Sequence, residues 1–251
     1  MDNLIDPDQR SSAWHDQRAG KPTSSQIYRL LSDGTRDMTK EELAARPKKG
    51  KGSKTTKIFD ASVLGKAAMT YIDELVASYV TGQSNDGGSY ATAWGEDHEE
   101  EGKAYFSEKT GLHLVEVNFV PFLTISGGSP DADIPDDDAI LELKCPYNSA
   151  NQIAYIETLH PDTVRDLFFD HFCQVQANML WLKRSKAYLA TYDPRMPEEL
   201  KMKVIVIPAD PEFQNLILLK VEQAHKIILE RVTKLKSLDL WKETQKINET
   251  L

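Results

Sequence analysis

Cysteine is scarce in this sequence: Cys145 and Cys173 are the only two among 251 residues, and neither belongs to a CxxC or Cys/His cluster. A disulfide framework, a structural zinc site and a four-cysteine iron–sulfur cluster are all excluded by that count. Both cysteines lie in apolar stretches and read as buried free thiols. Long hydrophobic runs are also missing, since nothing approaches the roughly 18 consecutive apolar residues of a membrane span. The opening residues, MDNLIDPDQRSSAW, lack the basic start and apolar stretch of a secretory signal. A cytoplasmic protein with no membrane partner is the expectation. Glycine and proline stay at 13 and 12 residues, and with 40% hydrophobic and 27% charged residues the collagen-like and disordered classes drop out. What remains is a globular chain able to bury a core.

Positive charge is in short supply as well. The formal net charge is −9, which on average repels nucleic acid, so any DNA-binding reading needs the cations concentrated somewhere. Residues 1–57 hold 12 Lys+Arg against 8 Asp+Glu, a local +4, and leave −13 for residues 58–251. Within that segment, Arg46-Pro-Lys-Lys-Gly-Lys-Gly-Ser-Lys-Thr-Thr-Lys57 carries six positive charges and no negative one, in a Gly- and Pro-containing loop. A solvated loop and a phosphate-contacting loop are equally compatible with it.

Hydrophobic spacing predicts a short helix near residues 24–32, capped by Thr23-Ser24-Ser25, and a longer one over 60–80. A polar connection at 83–89 and a helix from Trp94 to Lys109 follow. Leu114–Ile125 and Ala139–Cys145 read as strands of a meander separated by Gly127, Gly128, Pro130 and Pro135. Further on come a long helix over 162–183, strands at 186–192 and 202–208, and an amphipathic helix over 211–236. No internal repeat is present. Helices around a small mixed sheet with its strands in mid-chain make the fold α/β.

Chemistry concentrates in Ser129-Pro-Asp131 and Ile140-Leu-Glu142-Leu-Lys144-Cys-Pro146. Strand alternation sends Glu142 and Lys144 to one face, and an aspartate in the preceding turn can converge on them. Carboxylate oxygens suit Mg²⁺ or Mn²⁺, and a lysine beside the metal can hold or deprotonate a water that attacks a phosphodiester. Glu-x-Lys alone is a weak signal and recurs as Glu101-Gly-Lys103 and Glu199-Leu-Lys201. The first copy sits on the predicted 94–109 helix, and the second lacks an acid eleven positions upstream, where Glu142 has Asp131. Asp133 and Asp136–Asp138 are expected in the turn between strands, with Asp133 close enough to Asp131 to serve as a spare carboxylate.

The Ser129-Pro-Asp131 and Leu141-Glu-Leu-Lys-Cys-Pro146 pair resembles the PD-(D/E)XK nuclease core, in particular the lambda-exonuclease-like (YqaJ) family of phage recombination exonucleases. Trp14-His-x-x-Arg18-x-Gly20-x-x-Thr23-x-Ser25 is similar to that family's N-terminal motif. Ala93-Trp94-Gly95 with Glu99 resembles its acidic helix, and Gln174-Val-Gln176 and Tyr192-Asp-Pro-Arg-Met196 follow in order. The resemblance implies a restriction-endonuclease-like core, a central mixed β-sheet flanked by helices. It implies a single nuclease domain over 1–251, with a basic segment 1–57, a catalytic core 94–208 and a C-terminal helix and tail 211–251.

By the same resemblance, Asp131, Glu142 and the Leu143 carbonyl would bind two Mg²⁺ ions, with Mn²⁺ able to substitute. Lys144 would position and activate water, Gln174 would organise the reacting end, and Glu99 would complete the acidic site directly or indirectly. Without the family pattern Glu99 reads as part of a solvated helix face and Gln174 as a satisfied buried amide. Arg18 and Ser25 would receive a DNA 5′-phosphate; taken singly they read as a surface residue and a helix-cap residue. Arg46, Lys48, Lys49 and Lys51 are candidate backbone contacts. The implied activity is 5′→3′ degradation of one strand of duplex DNA from its ends, in a bacterial host, by a phage- or prophage-encoded homotrimeric ring partnered by a single-strand annealing protein. The family commonly has Gly after the SPD aspartate, where this chain has Ala132. The alternatives are a restriction-like endonuclease or junction resolvase on the same core and, further off, a non-catalytic DNA-binding adaptor.

Overall fold

In a computed structural model of the chain, which describes residues 17–45, 57–83 and 90–238, the strand-like alternation around residue 140 forms the interior of a mixed sheet. The chain enters it through a 3₁₀ helix, Ser24–Leu31, then β1 (Asp33–Asp37), α1 (Lys40–Ala45) and β2 (Lys57–Leu64). Next come α2 (Lys66–Thr81), α3 (Tyr90–Thr110), β3 (Val120–Phe122), β4 (Ser126–Gly128), β5 (Ala132–Ile134) and β6 (Ala139–Lys144). The crossover from β6 carries α4 (Ser149–Thr158), α5 (Val164–Leu167) and α6 (Phe169–Leu182), and β7 (Lys186–Tyr192), β8 (Met202–Pro208) and α7 (Pro211–Lys236) complete the order. Strands β5-β6-β7-β8 form the four-stranded sheet, while β1-β2 and β3-β4 are separate two-stranded ribbons. Strands β6 and β7 run parallel and the outer pairs antiparallel.

The sheet is buried on both faces. Ile140, Ala187, Leu189, Ile205 and Ile207 pack with α2, α6 and α7, and Ala139, Leu141, Leu143, Ala190 and Tyr192 pack with Phe106 of α3. Each such Ile or Leu side chain contributes about 1.5–3 kcal/mol on burial. Ile140, Leu141 and Leu143 therefore carry β6 inward and take Glu142 with them against the cost of burying its carboxylate.

Several expectations change. The predicted 60–80 helix begins only at Lys66, because Ile58–Leu64 pairs antiparallel with β1 and Gly65 breaks the run. The first helix is a tighter 3₁₀ helix whose Thr23 side chain makes no capping bond to the helix backbone. The predicted 162–183 helix is divided at Phe168. Of Leu114–Ile125 only Val120–Phe122 is a strand, with Val115 bridging Asp133. Trp14, the 84–89 connection, Arg46, Lys48, Lys49, Lys51 and the 239–251 tail lie outside the described residues. Among the described residues no helix is long and apolar enough to cross a membrane.

Asp133 is not a turn residue or a spare ligand. It lies in β5, nearly buried, and its two oxygens accept from Arg184 Nε and Nη2, both at 2.7 Å. With both oxygens engaged by the guanidinium, it is committed to that ion pair. Removing the arginine strands a buried carboxylate, so Arg184→Ala is expected to cost about 2 kcal/mol. Thermal unfolding should show a fall of roughly 4–8 °C in Tm; an unchanged Tm would rule out a stabilising role for the pair.

Candidate active site

The three residues singled out on and before β6 converge. Glu142 is 2% exposed, and its Oε1 accepts from Lys144 Nζ at 2.7 Å, as alternation along the strand requires. Asp131 reaches the same place by a different route. The β5–β6 ladder stops at the Ala132↔Leu141 pair, and the next free donor on β6, the Leu143 N–H, donates to Asp131 Oδ2 at 2.5 Å. The Asp131 N–H donates to Leu141 O at 3.1 Å, so backbone and side chain together clamp this aspartate beside the Glu142–Lys144 segment.

One face of α6 holds the other side. Gln174 Oε1 accepts from Lys144 Nζ at 3.0 Å, and Asn178 Nδ2 donates to Glu142 Oε2 at 3.1 Å. Four residues apart on a helix share a face, and two apart on a strand do too, so two amides meet the acid and the amine in register. Asn178 escaped the sequence reading; its signal was the i, i+4 spacing from Gln174 on α6. Asn178 is fully buried, and Gly128 of β4 sits against it. A Cβ at Gly128 would overlap both Asn178 Oδ1 and Ser24 Oγ, so this glycine is where the N-terminal segment and the support of Glu142 meet.

Glu99 comes from α3, which approaches β6 closely at Gly102, where a Cβ would stand 2.6 Å from Leu143 Cδ2. Its Oε1 is taken by Lys103 Nζ at 2.8 Å, and its negative charge acts on both Asp131 and Glu142. Lys103 belongs to the Glu101-Gly-Lys103 motif, yet the helix brings it to the rim of the site while Glu101 turns away to accept from the Tyr192 hydroxyl at 2.8 Å. Lys201 of the other recurrence pairs with Glu198 at 3.1 Å, outside the cleft.

The electrostatics are those of crowded carboxylates. Burial, then the charges of Glu142 and Glu99, push the Asp131 carboxyl well above the usual aspartate range. Burial also raises Glu142, against the pull of Lys144. Burial opposes the Lys144 ammonium, but Glu142 and Asp131 outweigh it and hold the amine above the usual lysine range. A desolvated site with surplus negative charge and hard oxygen donors suits a divalent cation such as Mg²⁺. Among the described residues no three His, Cys, Asp or Glu side chains form a ready-made cage. Asp131 and Glu142 supply two carboxylates, the Leu143 carbonyl lies on the same strand, and Mg²⁺ ordinarily leaves its remaining positions to water and substrate phosphate.

The N-terminal motif is tied to this centre. Ser126 Oγ donates to Pro22 O at 2.7 Å, Gly127 N to the same oxygen at 3.3 Å, and Thr23 bridges Gly127 in parallel. The Thr23 N–H donates to the Tyr71 hydroxyl at 3.2 Å, and Ser25 Oγ lies 3.4 Å from Thr23 Oγ1. The Arg18 guanidinium stands 5.8 Å from the centre of the Phe119 ring, and its charge also acts on Tyr71. Arg18, Thr23 and Ser25 thus gather around Tyr71 next to β4.

A four-stranded mixed sheet flanked by helices, with Asp131 just before its first strand and Glu142 and Lys144 on its second, is the PD-(D/E)XK nuclease fold. The alkaline exonuclease LHK-Exo from Laribacter hongkongensis superposes with a TM-score of 0.69 at 22% identity, over 94% of this chain and 100% of that one. A phage related exonuclease from Haemophilus somnus 129PT gives 0.66 at 15% identity, over 86% and 96%. Compared with curated protein sequences, the chain finds no match. The sequence profile of the YqaJ-like viral recombinase domain matches residues 13–183, and the chain belongs to that family.

Proposed function

We propose that this protein is a Mg²⁺-dependent 5′→3′ exonuclease, degrading one strand of linear duplex DNA from 5′-phosphorylated ends to leave 3′ single strands for phage-type recombination. The observation that carries the reading is the convergence of Asp131, Glu142 and Lys144 under the amides of Gln174 and Asn178. Membership of a viral recombinase family and the exonuclease names of both structural relatives point the same way.

Asp131, Glu142 and the Leu143 carbonyl would hold the metal, two ions by family resemblance, with Mn²⁺ a substitute. Bound there, it would neutralise charge on the scissile phosphate and acidify a water. The chain's own groups do the rest. Lys144, kept charged by Glu142 and Asp131, donates its one remaining N–H to the attacking water. Gln174 fixes the ammonium's direction, and Asn178 fixes the Glu142 carboxylate, whose further lone pairs would serve the metal. Glu99, with Lys103, closes the acidic side. The homotrimeric ring and the single-strand annealing partner belong to the same proposal. A ring would gather three basic N-terminal segments around the duplex while its outside stays negative, in the cytoplasm of a bacterial host.

The test compares linear duplexes bearing 5′-phosphate or 5′-hydroxyl ends with covalently closed circles, with and without Mg²⁺. Linear DNA should be consumed only with the metal, and circles should survive. Cut circles would favour the restriction-like endonuclease or resolvase reading. A second expectation concerns the basic loop. Neutralising Lys48, Lys49 and Lys51 together should weaken binding to all sequences alike and lower the salt slope by up to about three. An unchanged slope would leave those lysines as a solvated loop.

A further inference from the structure

The loop after β6 builds an aromatic platform that the reaction so far leaves unused. A cleft of about 460 Å³ opens beside Lys144 and Glu99, and Tyr147 and Tyr155 stand in its wall. Tyr147 is 55% exposed, so it is not placed there for core packing.

What lies behind it is rigid. The Tyr147 ring meets Trp94 edge-to-face, with centres 6.0 Å apart at 76°. His98 stacks on Trp94 at 3.8 Å, and the Arg195 guanidinium lies over it at 4.1 Å. Arg195 is itself locked: Nε donates to Oδ1 of the fully buried Asp193 at 2.7 Å, and Nη2 donates to Asp193 Oδ2 at 2.9 Å and to Pro146 O at 3.0 Å. The last bond pins the backbone one residue before Tyr147. One residue after it, Asn148 Oδ1 caps α4 by accepting from Ala150 N at 3.0 Å. The open tyrosine is thus held from both sides along the chain and from behind.

We infer that Tyr147, on its Trp94–Arg195 support, is a stacking subsite for a nucleobase of the attacked strand. This inference rests on the nuclease reading above. An aromatic face accepts any base, because every base has a π-face, which suits an enzyme that must digest all sequences. Pre-organisation keeps the ordering cost of the contact small. Three residues of extended chain span at most roughly 10 Å, so the platform lies within a few nucleotides of a phosphate at Lys144. A base parked there would be withdrawn from its partner strand while its phosphate is processed.

The experiment is a mutant cycle between protein and DNA on linear 5′-phosphorylated duplexes in Mg²⁺. Tyr147→Ala should lower kcat/KM about tenfold, chiefly through KM, the size of one base–aromatic stack. Tyr147→Phe should stay within about twofold of wild type, since the ring and not the hydroxyl makes the contact. Replacing the first three nucleotides of the attacked strand one at a time by an abasic residue should cost the wild type about tenfold at one position. At that position Tyr147→Ala should lose nothing more. Independent, multiplying losses at all three positions, or a Phe variant as weak as the Ala variant, overturn the subsite. A wild type that leaves the intact duplex uncut overturns the nuclease reading itself, which keeps the two failures apart.

Discussion

Asp131→Ala and Glu142→Ala are expected to reduce hydrolysis of linear duplex by three orders of magnitude or more, about 4 kcal/mol of transition-state stabilisation, while DNA binding survives. Each removes an anionic oxygen donor, which weakens the hold on a divalent ion and at the same time lowers repulsion toward phosphate. Asp131 also accepts from the Leu143 N–H, so its loss disturbs the strand as well as the charge. Asp131→Asn separates the two, because the amide can keep that hydrogen bond while losing the negative charge. It should fold like wild type and remain inactive. Lys144→Ala should be nearly as damaged, since the ammonium bridges Glu142 and Gln174. Lys201→Ala is the control: its exposed pair with Glu198 is worth less than about 1 kcal/mol, and activity should be near wild type. Steady-state hydrolysis in Mg²⁺ alongside a binding measurement in its absence decides the matter. Substantial turnover by either carboxylate variant would remove Asp131 and Glu142 from the site, and equal damage at Lys144 and Lys201 would mean that the wrong Glu-x-Lys had been chosen.

How far the site was readable depends on which kind of order each residue obeys. Glu142 and Lys144 follow from period-two alternation on one strand, and β7, β8 and α7 likewise announce themselves by period, with bounds that the structure keeps at Lys186–Tyr192, Met202–Pro208 and Pro211–Lys236. Asn178 obeys tertiary order: its amide matters only because α6 crosses β6 at the height of Glu142, and its i, i+4 spacing from Gln174 does not say what lies opposite. Lys103 was set aside with its motif for the same reason, since helical rotation separates it from Glu101 and delivers it to Glu99. Leu114–Ile125 shows the opposite error. Its β-branched and aromatic content reads as a strand, but only Val120–Phe122 forms a ladder, and Phe119 is used to cover Gly127 instead. Helix α4 has no counterpart among the expected elements because Ser149–Thr158 has only a weak apolar stripe.

The 5′ end should matter as well, through a receptor of its own. A terminal phosphate carries more charge than an internal diester, and an arginine fork with a neighbouring hydroxyl suits it. Arg18 and Ser25 answer that description in sequence, and in the fold they gather with Thr23 around Tyr71, in a segment bonded through Pro22 and Thr23 to β4. At its end, Gly128 lies against the Asn178 that holds Glu142. A phosphate captured by Arg18 would therefore set the register of the strand relative to the acid that acts on it. Linear duplexes with 5′-phosphate are expected to be degraded at least about tenfold faster than those with 5′-hydroxyl, in keeping with one charge-assisted contact of 1.5–3 kcal/mol. Arg18→Ala should slow the phosphorylated substrate alone and bring it down to the hydroxyl rate. Arg18→Lys, which keeps the charge but loses the fork, should fall between the two. Ser25→Ala should act in the same direction and more weakly, since a neutral hydroxyl contributes about half as much. Initial rates on the paired substrates give the comparison. A wild type indifferent to the 5′-phosphate, or an Arg18→Ala variant that keeps the preference, would dismiss this receptor while leaving the reading of Asp131, Glu142 and Lys144 untouched.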